Sequence, residues 1–324
     1  MVISQTPLRI SFCGGGTDLE SYWSKNQGKV LTTAIDKYIY VIIKKRFDDD
    51  IVLNYTRREV VSNRQYLKHD LVREALKKTD IDSGVEIWTP SDIPSKGSGL
   101  GSSSTLTVGL LNAFYSFRGK QIEPDILASE ACNIEIDTIN KPIGKQDQYS
   151  AAYGGMNIIS FHTDGTVSLK PVSINRKTIK TLESNILLFF TGIVRKSFDI
   201  LIDQESKISK TRNTLNKMKS QVSEMCAVLR SESKLDDIGR ILNEAWNYKK
   251  RLSKRITNSH IEQMYSKALL NSALGGKICG AGGGGFLMLY VPRENQQSVR
   301  KALQDYRELP FMLNDNGSKI IFNN

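Results

Sequence analysis

Residues 1–60 alternate apolar and polar side chains and are rich in β-branched residues, as in Tyr38-Ile39-Tyr40-Val41-Ile42-Ile43. That period of two predicts strands. Over residues 65–79 the period lengthens, with Leu67, Leu71, Val72, Ala75 and Leu76 at helical spacing. Val85-Glu86-Ile87-Trp88 reads as a short strand, and the apolar run from Leu106 to Phe114 as a buried helix reaching about Phe117. Pro124 opens another helix, carrying Ala128, Ala131, Ile134 and Ile136, and residues 156–172 return to strand.

The second half has a different rhythm. Ile186 to Phe190 is a strand ended by Thr191-Gly192. Ile208, Leu215, Met218, Val222, Met225 and Leu229 predict one amphipathic helix over 198–230. Leu235, Ile238, Ile241, Leu242, Ala245 and Trp246 predict another over 235–252, and Ile261 to Leu274 a third. A glycine loop at 280–285, a strand at 286–291, a helix at 294–306 and a strand near 319–322 complete the order. The composition shifts near 175–185, which sets the expected boundary between a domain of residues 1–180 and one of residues 181–324.

Composition excludes more than it identifies. The 324 residues are 40% hydrophobic and 24% charged, an ordinary globular mix with room for two domains. Apolar runs such as Phe286-Leu287-Met288-Leu289-Tyr290-Val291 are far too short to span a bilayer, so no membrane association is expected. No basic region followed by an apolar core marks a secretory signal, and the four cysteines form no C-x-x-C pair. Reduced thiols in a cytoplasmic protein, monomeric or homodimeric, are expected. Cys13 and Cys279 sit in glycine loops, lining a site or filling space. The net charge of +11 is partly concentrated at Lys249, Lys250, Arg251, Lys254 and Arg255. No aromatic RNA-binding signature or zinc spacing accompanies it, so a solvated helix face or an anionic small substrate explains it better than nucleic acid.

The densest chemistry lies in Gly97-Ser98-Gly99-Leu100-Gly101-Ser102-Ser103-Ser104-Thr105. Glycines let a backbone turn tightly and bring its N–H groups to a ligand. The helix that follows adds unpaired donors and a positive dipole end, which together suit phosphate. The serines offer oxygens to magnesium, which keeps several waters and takes few protein ligands. A flexible linker would not run straight into an apolar helix. The segment is neither a Walker A loop nor a G-x-G-x-x-G fingerprint.

Pro7-Leu8-Arg9-Ile10-Ser11-Phe12-Cys13-Gly14-Gly15-Gly16-Thr17-Asp18, then Gly97 to Thr105, then Gly280-Ala281-Gly282-Gly283-Gly284-Gly285-Phe286 resembles, in that order, the three signature segments of the GHMP kinase superfamily. Pro94 stands five residues before Gly99, one more than in many members. Ile143-Gly144-Lys145-Gln146-Asp147-Gln148-Tyr149, Ala151-Ala152-Tyr153-Gly154-Gly155 and Leu274-Gly275-Gly276-Lys277 look most like the sugar 1-kinases that act on heptose 7-phosphate or L-fucose. The resemblance implies an α+β, two-domain fold. An N-terminal domain like ribosomal-protein modules would pack on a ferredoxin-like one, with the site in the groove between them.

It also implies roles. Asp147 matches the sugar-kinase Asp and is the candidate base, with Arg9 as its catalytic partner. Glu135, twelve residues before Asp147, matches the magnesium-binding Glu. Ser103 is the paired serine, and Asp137 and Ser102 are the alternatives. Gly97, Ser98, Gly99, Leu100, Gly101, Ser102, Ser103 and Ser104 would bind ATP. Thr17 and Asp18, nine residues beyond Arg9 at the latter, would meet sugar hydroxyls, with Gly282 and Gly283 beside the substrate. Galactokinases have Glu-His where this chain has Gly15-Gly16, which argues against galactose. Trp246 replaces the His of an N-E-S-H-x-x-L segment, and Lys249, Lys250 and Arg195 are candidates for a distal phosphate. The expectation is an ATP- and Mg²⁺-dependent kinase acting on a sugar phosphate, D-glycero-D-manno-heptose 7-phosphate by preference. L-fucose or another hexose is the same-class alternative. A non-catalytic binding protein of the same fold is the alternative of another class.

Overall fold

The computed structural model describes residues 1–93, 97–194, 197–232 and 234–324. Pro94 and Arg195 lie outside the described residues. The strands are β1 (Val2–Cys13), β2 (Gly28–Lys45), β3 (Ile51–Asn54), β4 (Arg58–Val61), β5 (Val85–Trp88), β6 (Met156–Phe161), β7 (Val167–Pro171), β8 (Ile186–Phe190), β9 (Gly275–Ile278), β10 (Phe286–Tyr290) and β11 (Lys319–Asn323). The helices of the first half are α1 (Glu20–Trp23), α2 (Asp70–Lys78), α3 (Ser102–Phe117), α4 (Pro124–Cys132) and α5 (Gln146–Tyr153). Those of the second are α6 (Arg176–Asn185), α7 (Ser197–Ser206), α8 (Ile208–Ser231), α9 (Asp237–Lys250), α10 (Ser259–Leu270) and α11 (Gln296–Ala302).

Among the described residues, eight strands form one sheet in the order β11-β1-β2-β5-β3-β4, with β6 joining β2 to β7. The long β2 makes this possible, pairing with β6 through Gly28–Thr33 and with β5 through Ile42–Lys45. A second, three-stranded sheet runs β8-β10-β9, all antiparallel. The α+β expectation holds.

β1 is the strand on which the site depends. Its register with β2 shifts between Pro7 and Leu8, where Pro7 can donate no ladder hydrogen bond. Such a bulge re-aims the side chains that follow it. Leu8, Ile10 and Phe12 point into a core shared with Val222 and Met225 of α8 and Met288 and Tyr290 of β10. Arg9, on the alternate face, is buried as well. A separate core lies under the large sheet, where Val108, Leu111 and Phe114 of α3 meet Val41 and Ile43 of β2. A third centres on the fully buried Trp246.

Some element boundaries differ from the sequence pattern. The helix expected over 198–230 is two helices, interrupted at Lys207 (φ −106°, ψ 4°). The one expected to Leu274 stops at Leu270, because Ser272 turns left-handed at φ 72°. Between 294 and 306 only Gln296–Ala302 is α-helical, after a 3₁₀ turn at Arg293–Asn295. β9 and α6 were not anticipated. β9 reads as loop because of its glycines, yet a Cβ on Gly275 would lie 2.0 Å from the Gly239 carbonyl oxygen of α9. Close packing, not a turn, requires glycine there. No described helix is long and apolar enough to cross a membrane.

Candidate active site

A cleft of about 320 Å³ opens between the two sheets. Its walls come from β1, the loop into α3, the segment before α5, α9 and the glycine loop after β9.

The loop before α3 is held in an unusual shape. Gly97, Gly99 and Gly101 have φ of 71°, 77° and 83°. A Cβ at Gly99 would lie 2.5 Å from the Cys279 carbonyl oxygen, and one at Gly285 would lie 2.4 Å from that of Ser98. The amide of Phe286 also donates to Ser98 O at 3.1 Å. The two glycine-rich segments therefore touch backbone to backbone. Ser98 and Ser102 share a hydrogen bond of 2.9 Å. No side chain caps α3, so the amides of its first turn are left for a ligand. The geometry is that of a phosphate cradle.

Arg9 and Asp147 meet at the cleft floor. Arg9 Nε donates to Asp147 Oδ1 at 2.8 Å and Nη2 to Oδ2 at 2.7 Å. Nη1 donates to the carbonyl of Gly99 at 2.8 Å. The arginine is almost wholly buried, whereas the carboxylate keeps 24% of its side-chain surface exposed toward the cleft. Paired forks of this kind are the strongest protein hydrogen bonds and fix orientation as well as distance. Lone pairs remain on Asp147 to accept a further proton donor.

Asp18 stands nearby, buried, accepting from Gly16 N at 2.9 Å and Gln146 Nε2 at 3.0 Å. Burial, reinforced by the Asp147 carboxylate, raises its pKa above the usual carboxylate range. A Cβ on Gly144 would stand 2.0 Å from Asp18 Oδ2, so only glycine lets the two segments meet. Ser11 Oγ and Gln146 Oε1 are buried polar atoms without a partner, and both residues line the cleft. They suit hydroxyl groups of a ligand.

Glu135 and Ser103 also come together. Ser103 Oγ donates to Glu135 Oε2 at 2.7 Å, and Gln148 Nε2 to Oε1 at 3.2 Å. Glu135 is completely buried and lies on a π-helical turn, Asn133–Thr138, that continues α4. Such turns shift the face a side chain presents and recur at functional sites. Asp137, the alternative acid, is exposed and bound to Asn133. A hydroxyl beside a buried carboxylate is a hard-oxygen pair of the kind magnesium accepts while keeping its waters. Lys141 already supplies a cation to both, at 3.1 Å from Glu135 Oε2 and 2.9 Å from Ser103 Oγ.

Other expected residues sit differently. Thr17 is fully buried, its hydroxyl spent on the carbonyls of Gly14 and Lys29, so it braces the loop rather than facing the cleft. Gly280 and Ala281 line the cleft, whereas Gly282 and Gly283 pack on Ile256. Lys249 lines the cleft, with its ammonium on the carbonyls of Ile278 and Gly280. Lys250 reaches Glu262 instead, at 3.2 Å. Cys13 and Cys279 are buried and lie outside the cleft lining, and burial raises the Cys13 pKa to about 12. Lys277, the last residue of Leu274-Gly275-Gly276-Lys277, is a cleft residue. It is buried with its ammonium on the carbonyls of Ser11 and Phe12, both at 2.9 Å, and burial lowers its pKa.

Known proteins share this architecture. Residues 65–155 match the GHMP kinases N terminal domain and residues 223–308 the GHMP kinases C terminal domain. The chain is 32% identical over 318 residues to the D-glycero-alpha-D-manno-heptose 7-phosphate kinase of Campylobacter jejuni, covering 93% of this chain and 92% of that protein. It is 24% identical to the bifunctional fucokinase/GDP-fucose pyrophosphorylase of Arabidopsis thaliana, across 94% of this chain but 31% of the larger one. A crystal structure of a D-glycero-D-manno-heptose 1-phosphate kinase from Bacteriodes thetaiotaomicron superposes with a TM-score of 0.84 at 26% identity, each chain covered completely. With a phosphate cradle, a clamped carboxylate and family matches in both halves, the chain belongs to the GHMP kinase family and is an ATP-dependent phosphotransferase.

Proposed function

We propose that this kinase phosphorylates the anomeric hydroxyl of D-glycero-D-manno-heptose 7-phosphate, giving the 1,7-bisphosphate. The observation that carries the reading is Asp147, fixed by Arg9 at the floor of the cleft beside the glycine loop. The 32% identical heptose 7-phosphate kinase supports the choice of sugar. Asp147 accepts the proton of the attacking hydroxyl, and Arg9 keeps the carboxylate aligned. Gly97 to Ser104 hold the phosphates of ATP. Asp18, Gln146 and Ser11 bind sugar hydroxyls. Lys249 and Lys277 supply positive charge for the substrate's own phosphate, since a phosphate leaving water needs charged donors. Residues 1–180, with β11 returning to pair with β1 in their sheet, form the nucleotide half, and the rest of residues 181–324 the half that closes the sugar pocket.

Ser103 and Glu135 hold Mg²⁺ in this reading. When bound, the ion neutralises charge on the transferred phosphoryl group.

A panel of heptose 7-phosphate, unphosphorylated heptose and L-fucose, each with ATP and Mg²⁺, tests the proposal. Heptose 7-phosphate should give the highest kcat/KM, with the new phosphate on carbon 1 by ³¹P NMR. Preference for L-fucose would replace the sugar assignment, and phosphorylation at another carbon would replace the position.

A further inference from the structure

The relation between Lys141 and the Ser103–Glu135 pair goes beyond the magnesium reading and rests on it. Glu135 is fully buried, and a buried carboxylate is costly unless its charge is met. Lys141 meets it, with Nζ also on Ser103 Oγ. The ammonium therefore contacts the same two oxygens that would hold the metal. Lys141 is not a loose surface residue. Its backbone amide donates to Glu135 O at 2.9 Å, its carbonyl accepts from Ile143 N at 2.9 Å, and its side chain is only 22% exposed. It also lines the cleft. A divalent ion on Glu135 Oε2 would be repelled strongly by an ammonium at the same atom.

We propose that Lys141 is a built-in substitute for the divalent ion. In the free enzyme it holds Glu135 and Ser103 in ligating positions, and it is displaced into the cleft when the metal enters. Metal binding is then an exchange of one cation for another. The chain keeps its site assembled at the expense of affinity for bare metal, because the competent state is only a fraction of the population.

Mn²⁺ binding to nucleotide-free protein, followed by electron paramagnetic resonance, tests this in wild type, Lys141→Met, Lys141→Gln and Glu135→Gln. Thermal melts with and without Mn²⁺ accompany each. Both Lys141 variants should bind Mn²⁺ about tenfold more tightly than wild type. Lys141→Met should melt lower without metal and recover with it. Lys141→Gln, still a donor to Glu135, covers the case in which the methionine variant does not fold. Lys141 variants that bind Mn²⁺ no better than wild type, or not at all, overturn the exchange. Glu135→Gln with wild-type Mn²⁺ affinity instead removes the metal assignment on which the proposal rests.

Discussion

Arg9 grips both carboxylate oxygens of Asp147 and uses its remaining terminal nitrogen on the carbonyl of Gly99. One buried guanidinium thus ties the candidate base to the phosphate loop. Asp147→Asn should lower kcat by roughly 10²–10⁴-fold while leaving nucleotide binding intact, read by steady-state rates and nucleotide titration. Arg9→Lys keeps the charge but loses the fork, so kcat should fall even though the protein still melts cooperatively. Near-wild-type turnover in Asp147→Asn would remove it as the base.

The metal reading separates from the sugar reading in kinetics. Glu135→Gln and Ser103→Ala should raise the Mg²⁺ concentration needed for half-maximal rate more than they change sugar KM, and turnover should drop. Unchanged Mg²⁺ titrations in both variants would send the search to other oxygens of the cleft.

Gly144→Ala places a methyl carbon 2.0 Å from Asp18 Oδ2, far inside contact distance. Asp18 must move, so sugar KM should rise by roughly 10–100-fold, the scale of a charged hydrogen bond. The KM for ATP should hardly change. Equal effects on both substrates would place the damage in the fold rather than in the sugar pocket.

The raised pKa of Asp18 has a consequence for stability. A carboxyl whose folded pKa lies above its unfolded value favours the folded state most when protonated, and this contribution is lost as pH rises through the folded value. Asp18→Asn should remove that loss. The variant should melt above wild type at neutral pH, with the gap closing in acid, and the unpartnered Gln146 Oε1 can accept from the new amide. Parallel melting curves across pH would show that Asp18 does not titrate in this way.

Lys249 tests the distal phosphate. Lys249→Ala should reduce kcat/KM for heptose 7-phosphate by roughly ten- to a hundredfold and that for unphosphorylated heptose much less. Its ammonium also holds the carbonyls of Ile278 and Gly280, so some loss common to both substrates is expected. An identical loss on both would leave only that bracing role.

Much of this was legible in the sequence, for physical reasons. Period-two strands and the buried helix after Gly101 follow from which face meets the core, and the glycine-serine loop announces its own backbone chemistry. The pairing of Ser103 with Glu135 followed from family spacing and is met in space at 2.7 Å. Less legible were side chains whose roles depend on distant backbone. Thr17 looked like a ligand residue because it adjoins Asp18, but strand β2 offers its hydroxyl the carbonyl and amide of Lys29. Lys141 gave no local signal, and Lys277 only its place at the end of Leu274-Gly275-Gly276-Lys277. The partners of Lys277 are carbonyls on β1, at the other side of the sequence. Helix ends at Lys207 and Leu270 carry no proline or glycine to announce them.

The backbone contact between Gly99 and the Cys279–Gly280 turn also sets a schedule. A ribosome makes Gly99 about 180 residues ahead of its neighbour, roughly 10–40 s at ~5–20 residues per second. Throughout that interval Arg9 can already hold the Gly99 carbonyl, but the opposite wall is missing, and Cβ-free backbones at both positions are what seat one on the other. The nascent chain can fold much of its large sheet early, yet the backbone contact from Phe286 N to Ser98 O forms only once residues 275–286 emerge.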